Sequence, residues 1–510
     1  MRSIGSQSVL GIDLGTSSVK VVALGAEGRP LAEATAGYDV TAPGAGQAES
    51  DPDAWWSAMV AAVHECLSHV GPAPAAIGLS GQMHGVVLTG GGGRALRPAI
   101  LWPDSRAVAE VAVYRRLPAG QLRQLMNPLA PGMAGPILLW LATHEPGHYR
   151  NAAWALQPKD WLRMQLTGIA AGDPSDASGT LLYDVPADRW HIELVEALGL
   201  EKGLLPPLLR SAGQAGVLTR AAAGELGLAA GTPVATGAGD TAAGILGTSL
   251  PPGQVQMSIG SGIQIVTLRD AAVAADEPVT HLYRTAEDHG WYALAAILSG
   301  GIALDWVRRL LGADWPELYA SATRPGRLED PVFLPHLAGE RTPYLDPGMR
   351  GAWVGLGLGH DRTTLLRSAL EGVAFAAAEA LEALEALGSP GNGVKATVRL
   401  SGRGSTAAAW RQLLADALGR PVVASASTNA SGNGAALLAA RLLGWPPGPG
   451  RAGRADPEAG ETRPADSEAD LVAERRRRFA ASVTALRFDI GDTVQVDVRR
   501  KRSGGKACNR

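Results

Sequence analysis

Two aspartates and a set of glycine-hydroxyl turns carry the chemistry that this sequence could do. Asp13 interrupts an otherwise apolar run, Val9 to Leu14, and is followed at once by Gly15-Thr16-Ser17-Ser18. A carboxylate in an apolar strand is costly to bury unless it is paired or metal-bound. Asp13 is therefore either an acid turned to solvent at a strand end or a ligand, through water, for the Mg²⁺ that accompanies a nucleotide. The adjoining Gly15-Thr16 favours the ligand. Asp240 follows an apolar stretch, Pro233 to Gly237, and precedes Thr241-Ala242-Ala243. At such a place Asp caps a helix or acts as a general base at a strand end, and residue type alone leaves both open. Gly15-Thr16-Ser17, Gly260-Ser261-Gly262 and Gly402-Arg403-Gly404-Ser405 each follow an apolar run. Such turns present backbone N–H groups and hydroxyls that suit phosphate oxygens. One alone reads as a plain tight turn; three at matching places in a repeat favour phosphate.

Other signatures are excluded. No Gly-Lys-Ser/Thr follows a glycine at Walker spacing, and no G-x-G-x-x-G follows a strand. His144-Glu145-Pro146-Gly147-His148 has the zinc-protease spelling, but Pro146 and Gly147 would break the continuous helix that zinc ligation needs. The basic runs Arg475 to Arg478 and Arg499 to Arg502 read as a solvated helix face and a charged tail rather than a nucleic-acid site.

The elements that must position these groups follow from periodicity. Val9–Leu14 and Val19–Leu24 form a hairpin, and Leu31–Tyr38 supplies a third strand. Asp53 opens a helix with Trp55, Met59, Val63 and Leu67 on one face. Ile77–Ser80 is a buried strand; Asp104–Leu117 and Arg150–Leu166 carry helical signal, and a helix starts at Thr241. The pattern then begins again: Gln254–Ile259, the turn Gly260-Ser261-Gly262, Ile263–Leu268, a long helix Thr364–Leu387, strand Thr397–Leu400, helix Ala407–Leu418, strand Pro421–Ser425 and helix Gly434–Leu443. An internal duplication of an α/β unit is the simplest reading. Pro446–Pro464 has linker composition, Ala469–Leu486 is an amphipathic helix, Val494, Val496 and Val498 alternate like a strand, and Arg499–Arg510 is a basic tail without structure.

The composition agrees with an enzyme-sized globular chain. The sequence has 510 residues, 46% of them hydrophobic, with 46 Lys+Arg against 49 Asp+Glu. A net charge of −3 argues against nucleic acid as partner of the whole chain. Short apolar runs broken by glycine predict no membrane span. Cys66 and Cys508, far apart, exclude a disulfide framework and predict a reducing cytoplasm.

Several segments share motifs with one known family. Gly11-Ile12-Asp13-Leu14-Gly15-Thr16-Ser17, Gly81-Gln82-Met83-His84-Gly85, Ile100-Leu101-Trp102-Pro103-Asp104, Pro158-Lys159-Asp160, Ser175 to Thr180 and Gly237-Ala238-Gly239-Asp240 carry the likeness in the first half. Phe333-Leu334-Pro335, Gly339 to Pro343 and Leu370-Glu371-Gly372-Val373 carry it in the second. In these segments the sequence resembles the FGGY family of carbohydrate kinases, and the resemblance runs from about residue 9 to 443. It implies an α/β, duplicated actin-like (ribonuclease-H-like) ATPase fold with two lobes around a central cleft: 1–250, sugar-binding, with the catalytic base; 251–445, nucleotide-binding; then a linker, C-terminal helix and basic tail, 446–510.

The resemblance further implies ATP-dependent phosphorylation of a ketose, D-xylulose at C5, with ATP and Mg²⁺ as cofactors. By the same resemblance Asp240 is the general base and Asp13 the acid near Mg²⁺ and the phosphates. Met83, His84, Asp104 and Thr241 fall on the sugar side; Thr16, Ser17, Gly260, Ser261, Gly301 and Gly404 lie by the nucleotide. The expected partners are a small sugar and ATP, with neither nucleic acid nor membrane, and a homodimer is the candidate assembly. The sequence departs from the family pattern at Thr241, where Asn is usual, at Pro103, at Ile137 where Lys is frequent, and in the turns Gly260-Ser261-Gly262 and Gly402 to Ser405. Rival readings are a kinase for another pentulose or polyol, a non-catalytic actin-like nucleotide sensor, and a nucleic-acid binder using the basic tail.

Overall fold

In the computed structural model, residues 8–70, 73–388, 396–425, 429–445 and 460–503 are described. They divide into two compact units. The first comprises residues up to 253 together with 267–294 and 425–454; the second comprises 254–266, 295–424 and 455–510. The architecture is α/β with two mixed sheets.

The first unit opens with β1 (Ser8–Leu14), β2 (Ser18–Gly25) and β3 (Pro30–Gly37), an antiparallel meander, followed by α1 (Pro52–Ser68). α1 starts where Asp51 caps the N–H of Asp53 and Pro52 takes the first turn. Its stripe of Trp55, Met59 and Val63 is fully buried over β2 and β3, in the same core cluster as Val19, Val21 and Ala23 of β2. Each such aliphatic side chain contributes about 1.5–3 kcal/mol on burial. β4 (Ile77–Gly81) then pairs parallel to β1, with Asp13 opposite Ser80. Further along come α2 (Pro158–Thr167), α3 (Pro174–Ala177), β5 (Gln214–Val217), β6 (Pro233–Ala235), β7 (Ala238–Gly239) and α4 (Asp240–Thr248). The sheet order is β5–β6–β4–β1–β2–β3, with β7 also parallel to β4.

The second half of the chain repeats the path. β8 (Val255–Ile259), β9 (Ile263–Arg269), β10 (His281–Arg284), β11 (Trp291–Ile297), α5 (Gly301–Leu310), α6 (Arg362–Glu385), β12 (Val398–Ser401), α7 (Ala408–Leu418), β13 (Val422–Ala424), α8 (Ala430–Leu442), β14 (Glu461–Thr462) and α9 (Ala469–Ser503) follow in chain order. The second sheet runs β10–β11–β9–β8–β12–β13–β14, with β8, β12 and β13 parallel and β10 and β14 antiparallel at the two edges. From β11 to β14 that is the order β3–β2–β1–β4–β6–β5 once more, the structural form of the duplication, with β10 added at one edge.

β10, the start of β11 and α8 belong to the first unit. α8 lies directly on β1, β4 and α4 because the contact surfaces are glycine: a Cβ on Gly78 would collide with the Ala435 carbonyl, and one on Gly434 with the Ala243 carbonyl. Only backbone-to-backbone approach fits there.

Four local expectations need correction. Arg150–Leu166 is not one helix: Trp154–Leu156 is a strand paired with Val87–Thr89, and the helix starts only at Pro158, whose fixed φ suits a first helical position. The linker assignment holds nothing testable over 446–459, which lie outside the described residues, but Glu461–Thr462 pairs with Val422–Val423. A sheet edge offers unpaired backbone groups, and this segment covers one. Val494–Val498 is helical within α9, not a strand, because alternation without a neighbouring edge has nothing to pair with. Arg499–Ser503 continues that helix, while residues 504–510 lie outside the described residues.

Candidate active site

The strand ends position the first cluster. β1, β4 and β7 are adjacent and parallel, so Asp13, Ser80-Gly81 and Gly239-Asp240 emerge together at their carboxyl ends, the edge at which open α/β sheets hold ligands. Asp13 is 5% exposed and accepts from Ser80 Oγ at 2.8 Å. Burial pushes its carboxyl up, while the Ser80 bond and the charge of Lys20, its cross-strand partner, pull it down.

Asp240 is the first residue of α4, and the cap position belongs to Gly239. The helix-cap reading of Asp240 therefore fails. Its Oδ1 accepts from Thr241 N–H at 2.6 Å and Thr241 Oγ1 at 3.1 Å, and its own carbonyl accepts from Ser431 Oγ of α8 at 2.9 Å. The residue keeps part of its surface open. Its carboxyl is pushed up to about 6, chiefly by burial and next by the negative charge of Asp13. An ordinary aspartate sits near 4, so two features meet here: a carboxylate with raised basicity and a nearby second carboxylate.

Met83 and His84 follow β4. Met83 packs over Gly239, where a Cβ would fall 2.9 Å from Met83 Cγ, so Met83 lies directly on the peptide preceding Asp240. His84 sits at φ 73°, a left-handed conformation that costs a non-glycine residue on the order of 1–3 kcal/mol. Its Nδ1 lies 2.7 Å from the Gly179 carbonyl. Around them stand aromatic residues that sequence reasoning missed. The Tyr292 hydroxyl points at Met83 Sδ at 3.7 Å, Tyr283 packs edge-on to Tyr292 at 5.7 Å, and the Tyr283 ring lies 5.9 Å from the His84 ring. Tyr283 and Tyr292 are cross-strand partners on β10 and β11.

The Pro158-Lys159-Asp160 and Ser175-to-Thr180 segments meet in a buried charged cluster behind Asp240. Lys159 Nζ faces Asp160 at 2.6 Å, Asp173 at 2.8 Å and Asp176 at 3.1 Å, and Arg163 adds a bond to Asp160 at 2.7 Å. Asp173 in turn accepts from Ser175 Oγ, which accepts from Gly239 N–H at 3.0 Å. Burial drives the Asp176 carboxyl well up, against the opposing pull of Lys159.

The remaining first-unit candidates are more dispersed. Asp104 is 2% exposed, and its oxygens accept from Ala48 N–H, Arg106 N–H and the Arg106 guanidinium. They are committed to that loop. Thr16 Oγ1 accepts from the Trp102 indole at 3.0 Å, and Ser17 is exposed. His144 closes one helix and Pro146 starts the next, and His148 bonds Glu145 at 2.9 Å, so the zinc spelling makes no zinc site. Among the described residues no group of three or more His, Cys, Asp or Glu could hold a metal ion, and no helix is long and apolar enough to cross a membrane.

In the second unit the matching strand ends, β8 and β12, carry the other turns. Gly301 N–H donates to the Gly260 carbonyl and Ile302 N–H to the Ser261 carbonyl, both at 2.9 Å. A Cβ on Gly301 would collide with that Gly260 carbonyl, and one on Gly262 with the Ile297 carbonyl. Gly260 and Ser261 are exposed. Gly404 packs its Cα face towards Ile259 and Trp410. The result is a tight double turn of bare backbone at the start of α5.

The basic run at 475–478 is not a uniformly solvated face. Arg475 is 1% exposed; its Nε donates to Glu371 at 2.7 Å, its Nη2 also reaches Glu371, and its Nη1 donates to the carbonyls of Arg327 and Asp330. Arg477, by contrast, is solvated.

Comparison with known proteins accounts for this arrangement. The family model described as FGGY family of carbohydrate kinases, N-terminal domain, matches residues 8–247, and its C-terminal counterpart matches 256–443. The chain is 36% identical over 417 residues to a xylulose kinase of Escherichia coli K12, covering 81% of this chain and 85% of that protein. A crystal structure of a xyloylose kinase from Brucella ovis superposes with a TM-score of 0.87 at 32% identity, covering 94% and 99% of the two chains. A gluconate kinase from Lactobacillus acidophilus reaches a TM-score of 0.88 at 24% identity, covering 96% and 99%, and shows the fold alone. With both family models matched in order across most of its length, and with the actin-like ATPase fold, this chain belongs to the FGGY family of carbohydrate kinases.

Proposed function

We propose that this kinase transfers the terminal phosphoryl group of ATP to the terminal hydroxyl of a ketose, D-xylulose at C5. The observation that supports it most is Asp240: a partly open carboxylate raised to about 6, beside Met83 and within the field of Asp13. Phosphoryl transfer needs in-line positioning and charge neutralisation more than a strong base. A carboxylate of this basicity suffices to accept the hydroxyl proton as the O–P bond forms.

In this reading Met83, His84 and Thr241 hold the sugar, with Tyr283 and Tyr292 closing its apolar side. The His84 ring is turned by its Nδ1 contact with the Gly179 carbonyl and by Tyr283 beside it. Asp104 serves the sugar side by fixing the loop between residues 48 and 106. Asp13 suits a water-rich Mg²⁺, because one carboxylate plus waters is a common magnesium shell and because its negative charge is felt at Asp240 even with Lys20 opposing it. Bound there, Mg²⁺ would neutralise phosphate charge. Thr16, Ser17, Gly260, Ser261, Gly301 and Gly404 approach the nucleotide, with the double turn, bare of side chains at its glycines, letting phosphate come close to the backbone. The first unit thus carries the sugar and the base, the second the nucleotide turns, and the chain works in the cytoplasm.

Thr241 favours a second reading, a kinase for another pentulose or polyol, since its shorter hydroxyl side chain reaches less far than the family's usual Asn. The test is sugar-dependent ADP release by purified protein across a panel of ketoses and polyols. D-xylulose should give the highest kcat/KM; its ranking among the poorest acceptors would hand the case to the second reading. Asp240→Ala should lower turnover on the order of 10²–10⁴-fold, as for loss of a general base, and unchanged turnover would remove Asp240 from this role.

A further inference from the structure

The strongest unused feature is a buried acid–imidazole pair in the second unit, behind the double turn. Glu340 is 3% exposed, a placement that costs a carboxylate dearly unless its oxygens are bonded. Its Oε1 accepts from the N–H of Leu298 at 2.8 Å and of Arg341 at 2.9 Å. Its other oxygen lies 3.0 Å from Nδ1 of His336, which is fully buried. A carboxylate accepts, so the ring proton sits on Nδ1. His336 Nε2 has no hydrogen-bond partner among the described residues. The ring is held by aromatic neighbours instead: Tyr344 edge-on at 5.6 Å and Phe479 of α9 at 6.3 Å, with Phe479 packed on Phe375 at 5.8 Å.

Leu298 is the last residue before Ser299-Gly300-Gly301, and Gly301 and Ile302 are tied by backbone bonds to Gly260 and Ser261. Whatever fixes the Leu298 peptide therefore fixes both strands of the double turn. Ser299 Oγ, one residue on, is buried with no partner among the described residues. A charge-assisted bond to a backbone N–H is short, directional and stronger than a neutral one, which is what a turn of bare glycine lacks in side-chain packing. Phe479 lies beyond residue 443, where the family match ends, so the anchor includes a helix outside the shared domain.

We propose that Glu340, oriented by His336 and clamped by Phe479, is a positioning residue that sets the Leu298–Gly301 turn for nucleotide phosphate, making α9 part of the ATP-binding apparatus. This rests on the reading of that turn as the nucleotide site. The test compares KM for ATP and for the best sugar acceptor in the full-length wild type, Glu340→Gln, Phe479→Ala, Phe479→Leu and Gly301→Ala. Glu340→Gln should raise KM for ATP about 10-fold, the scale of one charged hydrogen bond, with KM for the sugar within about twofold. Phe479→Ala should shift KM for ATP in the same direction, and Phe479→Leu should restore most of it. Equal rises in both KM values, or a fall in thermal stability with neither KM moved, would overturn the proposal. If Glu340→Gln does not fold, His336→Gln is read by the same split. Gly301→Ala separates the two failures. If it weakens ATP and Glu340→Gln does not, the positioning role alone falls; if it leaves KM for ATP unchanged, the nucleotide reading of the turn falls and the proposal with it.

Discussion

At the scale of single residues, the raised carboxyl of Asp240 makes two linked predictions. In the proposed role of base its proton must be off, so kcat should fall on the acid side with a midpoint near pH 6. The same shift works against stability. The folded value, about 6, lies above the ordinary 3.8, so between those values the native state binds more protons than the unfolded state. Stability is then lost as pH rises through that window and stays lost above it. Asp240→Asn should accordingly be more stable than wild type at pH 7.5 by about 1–3 kcal/mol, and by close to nothing at pH 4. Urea denaturation at the two pH values checks this; a destabilised variant at pH 7.5 would mean that the site does not strain the carboxylate. Asp13 and Asp240 were legible in the sequence because an acid among apolar residues is conspicuous. Tyr283 and Tyr292 were not. Tyr292 reaches Met83 and Tyr283 reaches His84 from some two hundred positions away, and aromatic residues in a hairpin read as ordinary core until the register pairs them.

At the scale of elements, α9 shows how a charged run can hide an anchor. Arg475, Phe479 and Val483 fall at i, i+4 and i+8 and are all buried, a stripe that was present in the sequence but masked by the neighbouring arginines. Removing only the cation leaves Glu371, still paired through Oε1 with Arg367, without the donor to its Oε2, and takes a donor from the Asp330 and Pro331 carbonyls, so Arg475→Met should cost about 3–5 kcal/mol. The double variant Arg475→Met with Glu371→Gln should lose markedly less than the sum of the single losses. A shift of the urea midpoint for Arg475→Met worth under about 0.5 kcal/mol would show the pair to be expendable. The strong helices were readable from their periodicity, α6 above all. The short pieces were not: Trp154–Leu156 and Glu461–Thr462 are strands because an edge lies beside them, and no local propensity encodes a neighbour.

At the scale of the molecule, the repeated strand–turn–strand pattern made the duplication visible, and the two sheets carry it out in the same order. Each set of turns sits in its own unit, which predicts separable protection in hydrogen exchange. A saturating sugar acceptor should slow exchange around residues 81–85, 239–241 and 283–292; a non-hydrolysed ATP analogue should slow it around 259–262 and 298–302. At a hundred times Kd the slowing for globally exchanging amides of the binding unit is about 100-fold. Sugar protection concentrated at 259–262 would reverse the assignment. What the sequence did not disclose is that the units are threaded through one another in chain order. The first unit takes α8 onto the glycine faces of β1, β4 and α4, and the fit depends on missing side chains at Gly78 and Gly434 rather than on any hydrophobic stripe. One consequence concerns the ribosome. The amino-terminal sheet emerges early, yet its covering helix is translated only after residue 430. Until then the nascent chain leaves the glycine faces of its first parallel strands uncovered, and a fragment stopped at residue 253 would leave them so permanently, as a species prone to clump or to be held by chaperones.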